Sequence, residues 1–354
     1  MAKCGSRRIA DVLRGELVEG RYGEALRGFP SVKALRERFC VGEYAVRHAL
    51  QRLRKEGLLE LKQGIGAVPT AKASCAFKGR VAFIGVGTTG SYFPSMLSIQ
   101  LARRFREAGW DFAPVFITAA ADGLLDAAPI RQLAANGLDF AIVCVAERQI
   151  AAVCDDLAVP YIVLNGYTRN FPNARAVIRE SFRWCYAELI RHLRERNVQS
   201  LIEFDLERTI DRGFENQLFE AGINIHRILC EWNSATPWTL ADAKRAGHKA
   251  VMDFFANEKR RRKPPDALLF DDDYLAVGGL AALHELGLRV PQDIKVVFYS
   301  NKGNEPVLGV AATRIENDPV SYGDTVAAYV LKLLSGRRAA PPRIFWRFIS
   351  GATL

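Results

Sequence analysis

Side chains that can read a nucleobase recur at helical spacing between residues 44 and 54. The donors and acceptors in this segment are Tyr44, Arg47, His48, Gln51 and Arg54. The apolar residues that alternate with them are Val46, Ala49, Leu50 and Leu53. A helix would place the two sets on opposite faces, one exposed and one buried. The exposed tips could reach base edges in a DNA major groove, so we expect a DNA-reading helix, with a merely solvated face as the alternative.

The preceding residues predict two further helices. The apolar positions of the first recur every four residues, at Ile9, Leu13 and Leu17. Ser31 is placed to cap a short second helix, and a turn at residues 40–42 separates it from the third, which begins at Glu43. Two short helices joined by a glycine-containing turn are typical of a helix-turn-helix.

A β-hairpin is predicted directly after the third helix. Gly57 ends that helix, residues 58–61 and 67–68 have the composition of strands, and residues 62–66 form the tip. Gly64, beside Gln63, would let the backbone of the tip approach DNA closely, because glycine carries no side chain.

The charge is concentrated at the same end of the chain. The 354 residues carry a net charge of +10, from 49 Lys and Arg and 39 Asp and Glu. Residues 1–79 hold 16 of the basic and 8 of the acidic residues, whereas residues 80–354 hold 33 and 31. A small basic module that suits a polyanion therefore precedes a nearly neutral one.

Cysteine usage and hydropathy indicate a cytoplasmic chain. The seven cysteines form no CxxC pair and have no histidine at ligand spacing, so neither a disulfide framework nor a metal site is expected. Residues 1–14 lack the apolar core of a signal peptide. The longest apolar runs are strand-sized, and no membrane partner is expected.

The first module resembles the GntR-family winged helix over residues 7–69. The motifs that carry the resemblance are Phe29-Pro30-Ser31, Leu35, Phe39, Val41, Ala45–Leu50, Leu53, Glu56–Leu59 and Gly64-Ile65-Gly66. The resemblance implies that Lys33 contacts phosphate, that Arg47 contacts DNA from the recognition helix, and that Gly64 lies at the wing tip. The chain departs from the family where Gly42-Glu43 replaces Ser-Arg, Ala45 replaces Thr and Ile65 replaces the wing Arg. Glu43 could instead accept a hydrogen bond from a cytosine amino group.

From residue 80 onward, strand-sized apolar runs alternate with amphipathic helical segments. The predicted strands are Val81–Val86, Phe112–Ile117, Phe140–Val145, Tyr161–Leu164, Ser200–Phe204, Ala267–Phe270 and Lys295–Tyr299. The predicted helices are Ser95–Ala108, Ala128–Ala135, Ser181–Glu195, Arg212–Ala221, Leu240–Asn257 and Tyr274–Leu286. This alternation predicts an α/β fold with parallel sheets, whose ligands bind at the carboxyl ends of the strands.

Two motifs could instead indicate an enzyme. Residues 85–90 match the dinucleotide-binding motif GxGxxG after a strand. However, we expect the next helix to begin only at Pro94-Ser95, after the third glycine, and Asp111 lies at the start of its strand instead of at the end, where a ribose-binding acid is needed. A nucleotide cofactor is therefore disfavoured. The consecutive acids Asp271–Asp273 point apart on an extended chain and should not converge on a metal, and Asp273 should cap the following helix. No histidine accompanies a Ser or Cys nucleophile elbow, so no catalytic residue is predicted.

The second module resembles the effector domain of LacI/GalR-type regulators, which share a fold with periplasmic sugar-binding proteins. The supporting strings are Gly137–Val143, Val159-Pro160-Tyr161, Gly213-Phe214, Ala221-Gly222-Ile223, Asp273–Gly278 and Gly287–Ile294. The resemblance implies two similar α/β subdomains over residues 80–354, with chain crossovers near residues 165–180, 301–318 and 336–342. The expected organisation is thus a winged helix-turn-helix (1–69), a linker (70–79) and a periplasmic-binding-protein-like domain.

The same resemblance implies which residues line the ligand cleft. They are Ser91, Tyr92, Phe93, Asn165, Arg212, Trp232, Asp272 and Ser300. Several replace the family's residues: Asp272 stands for an Asn, Ser300 for an acid and Asn165 for an Asp, and Arg212 lies near a lost Arg. Polar groups beside aromatic rings suit a hydroxyl-rich ligand such as a sugar.

These observations together predict a one-component transcription regulator that acts as a repressor. Its partners would be double-stranded operator DNA, a small carbohydrate effector and a second copy of the chain. The alternatives are an enzyme that uses the glycine-rich loop at residues 85–90, and a DNA-binding protein whose effector cleft is degenerate.

Overall fold

The computed structural model describes residues 5–18, 22, 29–62, 64–70, 77–86, 91–118, 123–144, 147–206, 212–230, 239–256, 263–306 and 308–354. The chain divides into two compact units. The first comprises residues 1–80 and 106–111, and the second comprises residues 81–105 and 112–354. Within the described ranges, no helix is both long and apolar enough to cross a bilayer.

The first unit contains the predicted three helices and hairpin. The helices are α1 (Ser6–Val18), α2 (Val32–Phe39) and α3 (Glu43–Lys55). The hairpin strands are β1 (Leu59–Lys62) and β2 (Gly66–Pro69), which pair antiparallel with Lys62 opposite Gly66. The Ser31 hydroxyl accepts a hydrogen bond from the backbone N–H of Ala34 at 3.2 Å, so Ser31 caps α2 as predicted.

The predicted apolar positions form the core of this unit. Its buried residues are Ile9, Ala10, Leu13, Leu17, Phe29, Leu35, Val46, Ala49, Leu50, Leu53, Leu58 and Leu59. All three helices and the first hairpin strand contribute to this one cluster, which fixes the orientation of α3.

The second unit contains two six-stranded sheets. The strands are β3 (Arg80–Val86), β4 (Asp111–Ile117), β5 (Phe140–Val143), β6 (Tyr161–Leu164), β7 (Ala176–Ser181), β8 (Ser200–Asp205), β9 (Asn224–Leu229), β10 (Ala267–Phe270), β11 (Lys295–Asn301), β12 (Arg314–Asn317), β13 (Arg343–Phe345) and β14 (Arg347–Ile349). The helices are α4 (Tyr92–Glu107), α5 (Ala128–Ala135), α6 (Arg148–Asp156), α7 (Arg183–Glu195), α8 (Arg212–Glu220), α9 (Leu240–Phe255), α10 (Asp273–Glu285) and α11 (Pro319–Leu334).

Each sheet is the centre of one subdomain. The strand order is β13-β7-β6-β5-β3-β4 in the first sheet and β14-β12-β11-β10-β8-β9 in the second. Strands β3, β5, β6, β7 and β13 pair in parallel, as do β9, β8, β10, β11 and β12, whereas β14 runs antiparallel to β12. Buried apolar clusters lie against the strands of both sheets. The α/β class and the parallel sheets predicted from the sequence are confirmed.

The chain crosses between the subdomains at three points, and two of the predicted crossovers are wrong. Residues 165–180 do not cross, because β7 extends the first sheet beside β6 and the crossing follows Ser181. Residues 336–342 do not cross either, because they lead to β13 of the first sheet and the crossing falls at Trp346. The middle crossover is close to its prediction, since β12 ends at Asn317 before the chain passes into α11.

Candidate nucleic-acid interface and ligand cleft

Helix α3 exposes the side chains that the sequence predicts will read DNA. Tyr44 is 83% exposed, and Arg47, His48 and Gln51 are exposed on the same side. The rings of Tyr44 and His48 lie 5.9 Å apart, since residues four apart meet on one helix face. The four side chains therefore form one accessible surface, the α3 face.

The turn between α2 and α3 keeps backbone accessible next to this face. Cys40 adopts a left-handed conformation with φ of 52°, and the N–H of Val41 donates to the carbonyl of Arg36 at 3.2 Å. Gly42 caps α3 without a side-chain hydrogen bond, and apart from its chain neighbours no atom of the described residues lies within 4 Å of where its Cβ would be. The N-terminal end of α3 is thus open to an approaching anion.

An ion pair at the start of α3 limits the freedom of Arg47. The carboxylate of Glu43 accepts a hydrogen bond from Nε of Arg47 at 2.7 Å, and Nη1 of Arg36 lies 3.7 Å from it. The Arg47 hydrogen bond lowers the pKa of Glu43. The i, i+4 spacing of Glu43 and Arg47 was the available sequence signal for this pair, which the sequence analysis did not identify.

Two further ion pairs join the helices behind the α3 face. Buried Glu16 accepts hydrogen bonds from both terminal nitrogens of Arg38 and from the Tyr22 hydroxyl. The carboxylate of Glu56 accepts two hydrogen bonds from Arg14, at 2.8 and 2.7 Å, which lower the pKa of Glu56. These pairs tie α1 to α2 and to the end of α3, so α3 is held at both its core side and its C-terminus.

The remaining predicted DNA contacts lie on α2 and in the hairpin. Lys33 is exposed on α2. Gly64 is exposed at the hairpin tip with φ of +79°, a left-handed conformation that favours glycine. Apart from its chain neighbours, no atom of the part of the chain that the structure describes lies within 4 Å of its Cβ position. Gln63 lies outside the described residues.

In the second unit, the start of α4 lies between the two subdomains. This helix begins at Tyr92, so the predicted start at Pro94-Ser95 is wrong. The backbone N–H of Tyr92 donates a hydrogen bond to the hydroxyl of Tyr274 at 3.1 Å. The Tyr92 hydroxyl donates to the carbonyl of Lys302 at 3.0 Å, and the Phe93 ring packs edge-on against Tyr322 at 5.3 Å. Tyr92 thus joins the carboxyl edge of the first sheet to that of the second.

The three consecutive acids after β10 have separate partners. Oδ1 of Asp272 accepts from the backbone N–H groups of Tyr274 and Leu275 at 2.8 and 3.1 Å, so Asp272, not Asp273 as predicted, caps α10. A side chain immediately before the first helical residue is the one placed to reach these N–H groups. Oδ2 of Asp273 accepts from the N–H of Asn301 at 3.1 Å, and Oδ2 of Asp271 from the N–H of Leu206 at 3.0 Å.

Burial raises the pKa of all three carboxyls. The pKa of Asp272 rises to about 7, mainly through burial and then through the charge of Asp273. Burial likewise raises the pKa of Asp273. The pKa of Asp271 is raised by burial and, second, by a hydrogen bond with the Asp205 carboxyl. The edge of the second sheet is therefore a dense group of acids that is expensive to ionise fully.

The other predicted cleft residues are placed as follows. Ser300 is buried at the end of β11, and its hydroxyl donates to the carbonyl of Asn301 at 3.3 Å. Asn165 is exposed after β6 with φ of 56°, and Arg212 is exposed at the first residue of α8. Trp232 and residues 87–90 of the glycine-rich motif lie outside the described residues. The sequence analysis missed Tyr274 and Tyr322 as partners of the α4 start, although each is an aromatic residue in the first turn of its helix.

The first unit is a winged helix-turn-helix, and the second is a two-subdomain domain of the periplasmic-binding-protein type. Residues 6–68 match the family described as bacterial regulatory proteins, gntR family. Residues 190–353 match the periplasmic binding protein-like domain. The chain therefore combines a region that matches the GntR family model with a region that matches the periplasmic binding protein-like model, which is the order of domains that the sequence resemblance implied.

Curated relatives and solved structures agree with this organisation. The HTH-type transcriptional repressor PurR of Yersinia enterocolitica serotype O:8 is 28% identical over 224 residues, which cover 61% of this chain and 62% of the relative. The lac repressor dimer bound to operator and the anti-inducer ONPF is 18% identical with a TM-score of 0.63, covering 80% of this chain and 96% of that one. A LacI family regulator from Arthrobacter sp. FB24 in complex with lactose is 18% identical with a TM-score of 0.62, covering 78% and 99%. The match thus spans somewhat less than two thirds of the curated relative's length.

Proposed function

We propose that this protein is a sequence-specific transcriptional repressor whose affinity for operator DNA is controlled by a small molecule. The observation that carries the proposal is the α3 face: four side chains with hydrogen-bonding tips, exposed together on a helix that is held by buried contacts on its opposite side. We assign residues 1–69 to the DNA-binding head, residues 70–79 to the linker and residues 80–354 to the effector domain. The repressors among its relatives support this assignment.

On DNA, two kinds of contact would have different tasks. Lys33 and the backbone around Gly64, with Gln63, would contact phosphates, which supplies affinity that falls steeply with salt. Tyr44, Arg47, His48 and Gln51 would contact base edges and supply sequence specificity. Arg47 must leave Glu43 to bind a base, so the Glu43–Arg47 ion pair would lower the affinity for DNA.

The effector would bind between the two subdomains, at the carboxyl edges of the sheets. The proposed binding residues are Ser91, Tyr92, Phe93, Asn165, Arg212, Trp232, Asp272 and Ser300. We infer a carbohydrate or a related polyol, since carboxyl, hydroxyl and amide groups beside aromatic rings suit hydroxyl-rich ligands. Lactose and ribose are bound in two solved structures of similar fold.

Regulation would follow from a difference in effector affinity between DNA-competent and DNA-incompetent arrangements. A homodimer would present two heads to half-sites about 34 Å apart, one turn of DNA, or a multiple of this. The proposal places the protein in the cytoplasm with the DNA and assigns it no catalytic residue, metal or cofactor.

The test begins with selection of duplexes from a random DNA library by the full chain. With the selected operator, Arg47→Ala should weaken binding by about 10- to 100-fold, the range expected for one good base contact. The matched control is Arg245→Ala, which removes an exposed arginine that pairs with Asp242 in α9. Equal affinity of the two variants for the operator would contradict the assignment of α3 as the recognition helix.

Effector binding is tested separately with a panel of sugars. The sugar that binds should raise the melting temperature and change operator affinity, and Phe93→Ala should weaken both effects. A panel without any hit, together with intact operator binding, would contradict a carbohydrate-responsive cleft and leave the DNA-binding assignment standing.

A further inference from the structure

A cavity of about 280 Å³ lies where the chain first crosses between the subdomains. It is lined by the end of β7, the starts of α7 and α8, and the start of β13. None of the described residues proposed for the effector cleft lines it. The contributing strands belong to the first sheet, whereas Tyr186 and Phe214, from the two helices, pack on the second.

Three arginines line this cavity, and none of them has a carboxylate partner among the described residues. The parallel register of β7 and β13 places Arg179 directly beside Arg343, and Arg183 is the first residue of α7. No ion pair joins any of the three to an acid in the part of the chain that the structure describes; Arg179 and Arg183 instead lie 5.9 Å from the rings of Tyr167 and Trp184. Like charges directly opposite on neighbouring strands are destabilising, so an anion between them would relieve a cost that is otherwise present.

The backbone at the cavity favours an anion as well. Phe182 caps α7 without a side-chain hydrogen bond, so the first-turn N–H groups receive no acceptor from the cap residue. Gly213, in the first turn of α8, also lines the cavity. The positive ends of two helix dipoles therefore lie at the same site as the three arginines.

Among the described residues that line the cavity, Glu180 is the only carboxyl, and it does not neutralise these groups. Glu180 is committed to another contact, because its Oε2 accepts a hydrogen bond from Nε1 of Trp346 at 3.1 Å. Burial raises the pKa of Glu180, and this one described carboxyl faces three guanidinium groups at the cavity. The cavity therefore keeps an excess of positive charge.

We propose that this cavity is a second ligand site, which binds the phosphoryl group of a small metabolite at the hinge between the subdomains. Guanidinium groups present paired N–H donors that match phosphate oxygens, and three of them suit a dianion better than a single carboxylate. The volume admits a phosphorylated small molecule and excludes a macromolecule. Because both subdomains line the site, its occupancy depends on the angle between them, and a bound phosphate would favour one angle.

The test uses inorganic phosphate as the probe and the full chain without DNA, so that its result is independent of the proposed operator binding. Wild type, Arg343→Gln and the control Arg338→Gln are compared by calorimetry and thermal melting at constant ionic strength. Arg338 is an exposed arginine in the segment between α11 and β13. Without phosphate, Arg343→Gln should melt about 1–3 °C above wild type, because it removes the repulsion from Arg179. With phosphate, wild type and Arg338→Gln should gain stability, while Arg343→Gln should bind phosphate at least tenfold more weakly.

Three results would overturn the proposal. They are equal phosphate affinity in wild type and Arg343→Gln, no phosphate binding by wild type, and binding of malonate that matches that of phosphate. Arg179→Gln, on the neighbouring strand, provides a second variant if Arg343→Gln does not fold, and the same shifts are expected of it.

Discussion

The α3 face and the carboxyl edge of the second sheet carry their chemistry in opposite ways. On α3, Tyr44 is 83% exposed and its neighbours on that face are exposed with it, whereas Asp273 at the sheet edge is 1% exposed. Exposed groups can meet a large partner such as a duplex. Buried carboxyls have raised pKa values and can meet only what enters between the subdomains. The comparison shows why a sequence reveals the first kind of site more readily than the second.

The surroundings of the glycines also differ between the DNA-binding head and the effector domain. Gly42 and Gly64, beside the proposed DNA contacts, have open space where a Cβ would lie. Gly278 in α10 does not, since its Cβ would lie 1.8 Å from the carbonyl oxygen of Lys244 in α9. The head uses glycine to keep backbone accessible, and the effector domain uses it to bring two helices into contact.

The largest effect is expected from Gly278→Ala. The added methyl group would collide with backbone, which cannot rotate away as a side chain can, so α9 and α10 must separate. We expect a loss of about 3 kcal/mol or more in the free energy of unfolding, measured by denaturation of the full chain. Ala281→Gly, at an exposed position of the same helix, should cost only about 1 kcal/mol through helix propensity. A Gly278→Ala variant no less stable than this control would contradict the close α9–α10 contact.

Burial patterns explain which elements could be predicted from the sequence. Strand β10 was predicted with its observed ends because all four of its residues are buried and apolar. Strand β7 was missed because Arg179 and Glu180 interrupt its apolar run, and β13 and β14 because three residues carry too little pattern. Helix α11 was missed although its signal was present: Asp318 caps it, and buried Tyr322, Val326 and Val330 recur every four residues.

A smaller effect, and one that depends on pH, is expected from Asp272→Asn. The pKa of Asp272 is about 7 in the folded chain and near its ordinary 3.8 when unfolded. Between these values the folded chain binds more protons, so this residue makes stability fall as pH rises from about 4 to 7. Asparagine caps a helix as well as aspartate does, so the variant should gain on the order of 1 kcal/mol at pH 8 and little at pH 4.

Thermal melting of both proteins across this pH range measures the effect. Asp293→Asn is the matched control, since its pKa is lowered to about 2 by Arg289 and its removal should not stabilise the chain at pH 8. Parallel pH profiles for wild type and Asp272→Asn would show that folding does not raise the pKa of Asp272. The comparison between an ordinary exposed face and a perturbed buried edge would then lose its main support.

The candidate sites could be predicted only in part, because a local sequence pattern does not reveal contacts between distant segments. The α3 face follows from a single helical period, so Tyr44, Arg47, His48 and Gln51 were identifiable without the fold. The contact of Tyr92 with Tyr274 and Lys302 joins residues about 180 and 210 positions apart, and nothing local to either segment indicates it. The cap of α10 was displaced by one residue, from Asp273 to Asp272, because three equal acids in succession give no local basis for choosing among them.

The smallest effect is expected from Glu43→Gln, which changes only the exposed region. The substitution removes a negative charge next to the proposed phosphate contacts and releases Arg47 from its hydrogen bond of 2.7 Å. Operator affinity should rise by about 3- to 10-fold, and the dependence of log affinity on log salt should steepen by up to about one unit if the released arginine neutralises a phosphate. The matched control is Glu188→Gln, which breaks an equally exposed pair with Arg191 on α7 and should leave operator affinity unchanged. A fall in affinity for Glu43→Gln would instead indicate that Glu43 itself accepts a hydrogen bond from the amino group of a cytosine. The loss of affinity should then be confined to operators that have a cytosine at one particular position.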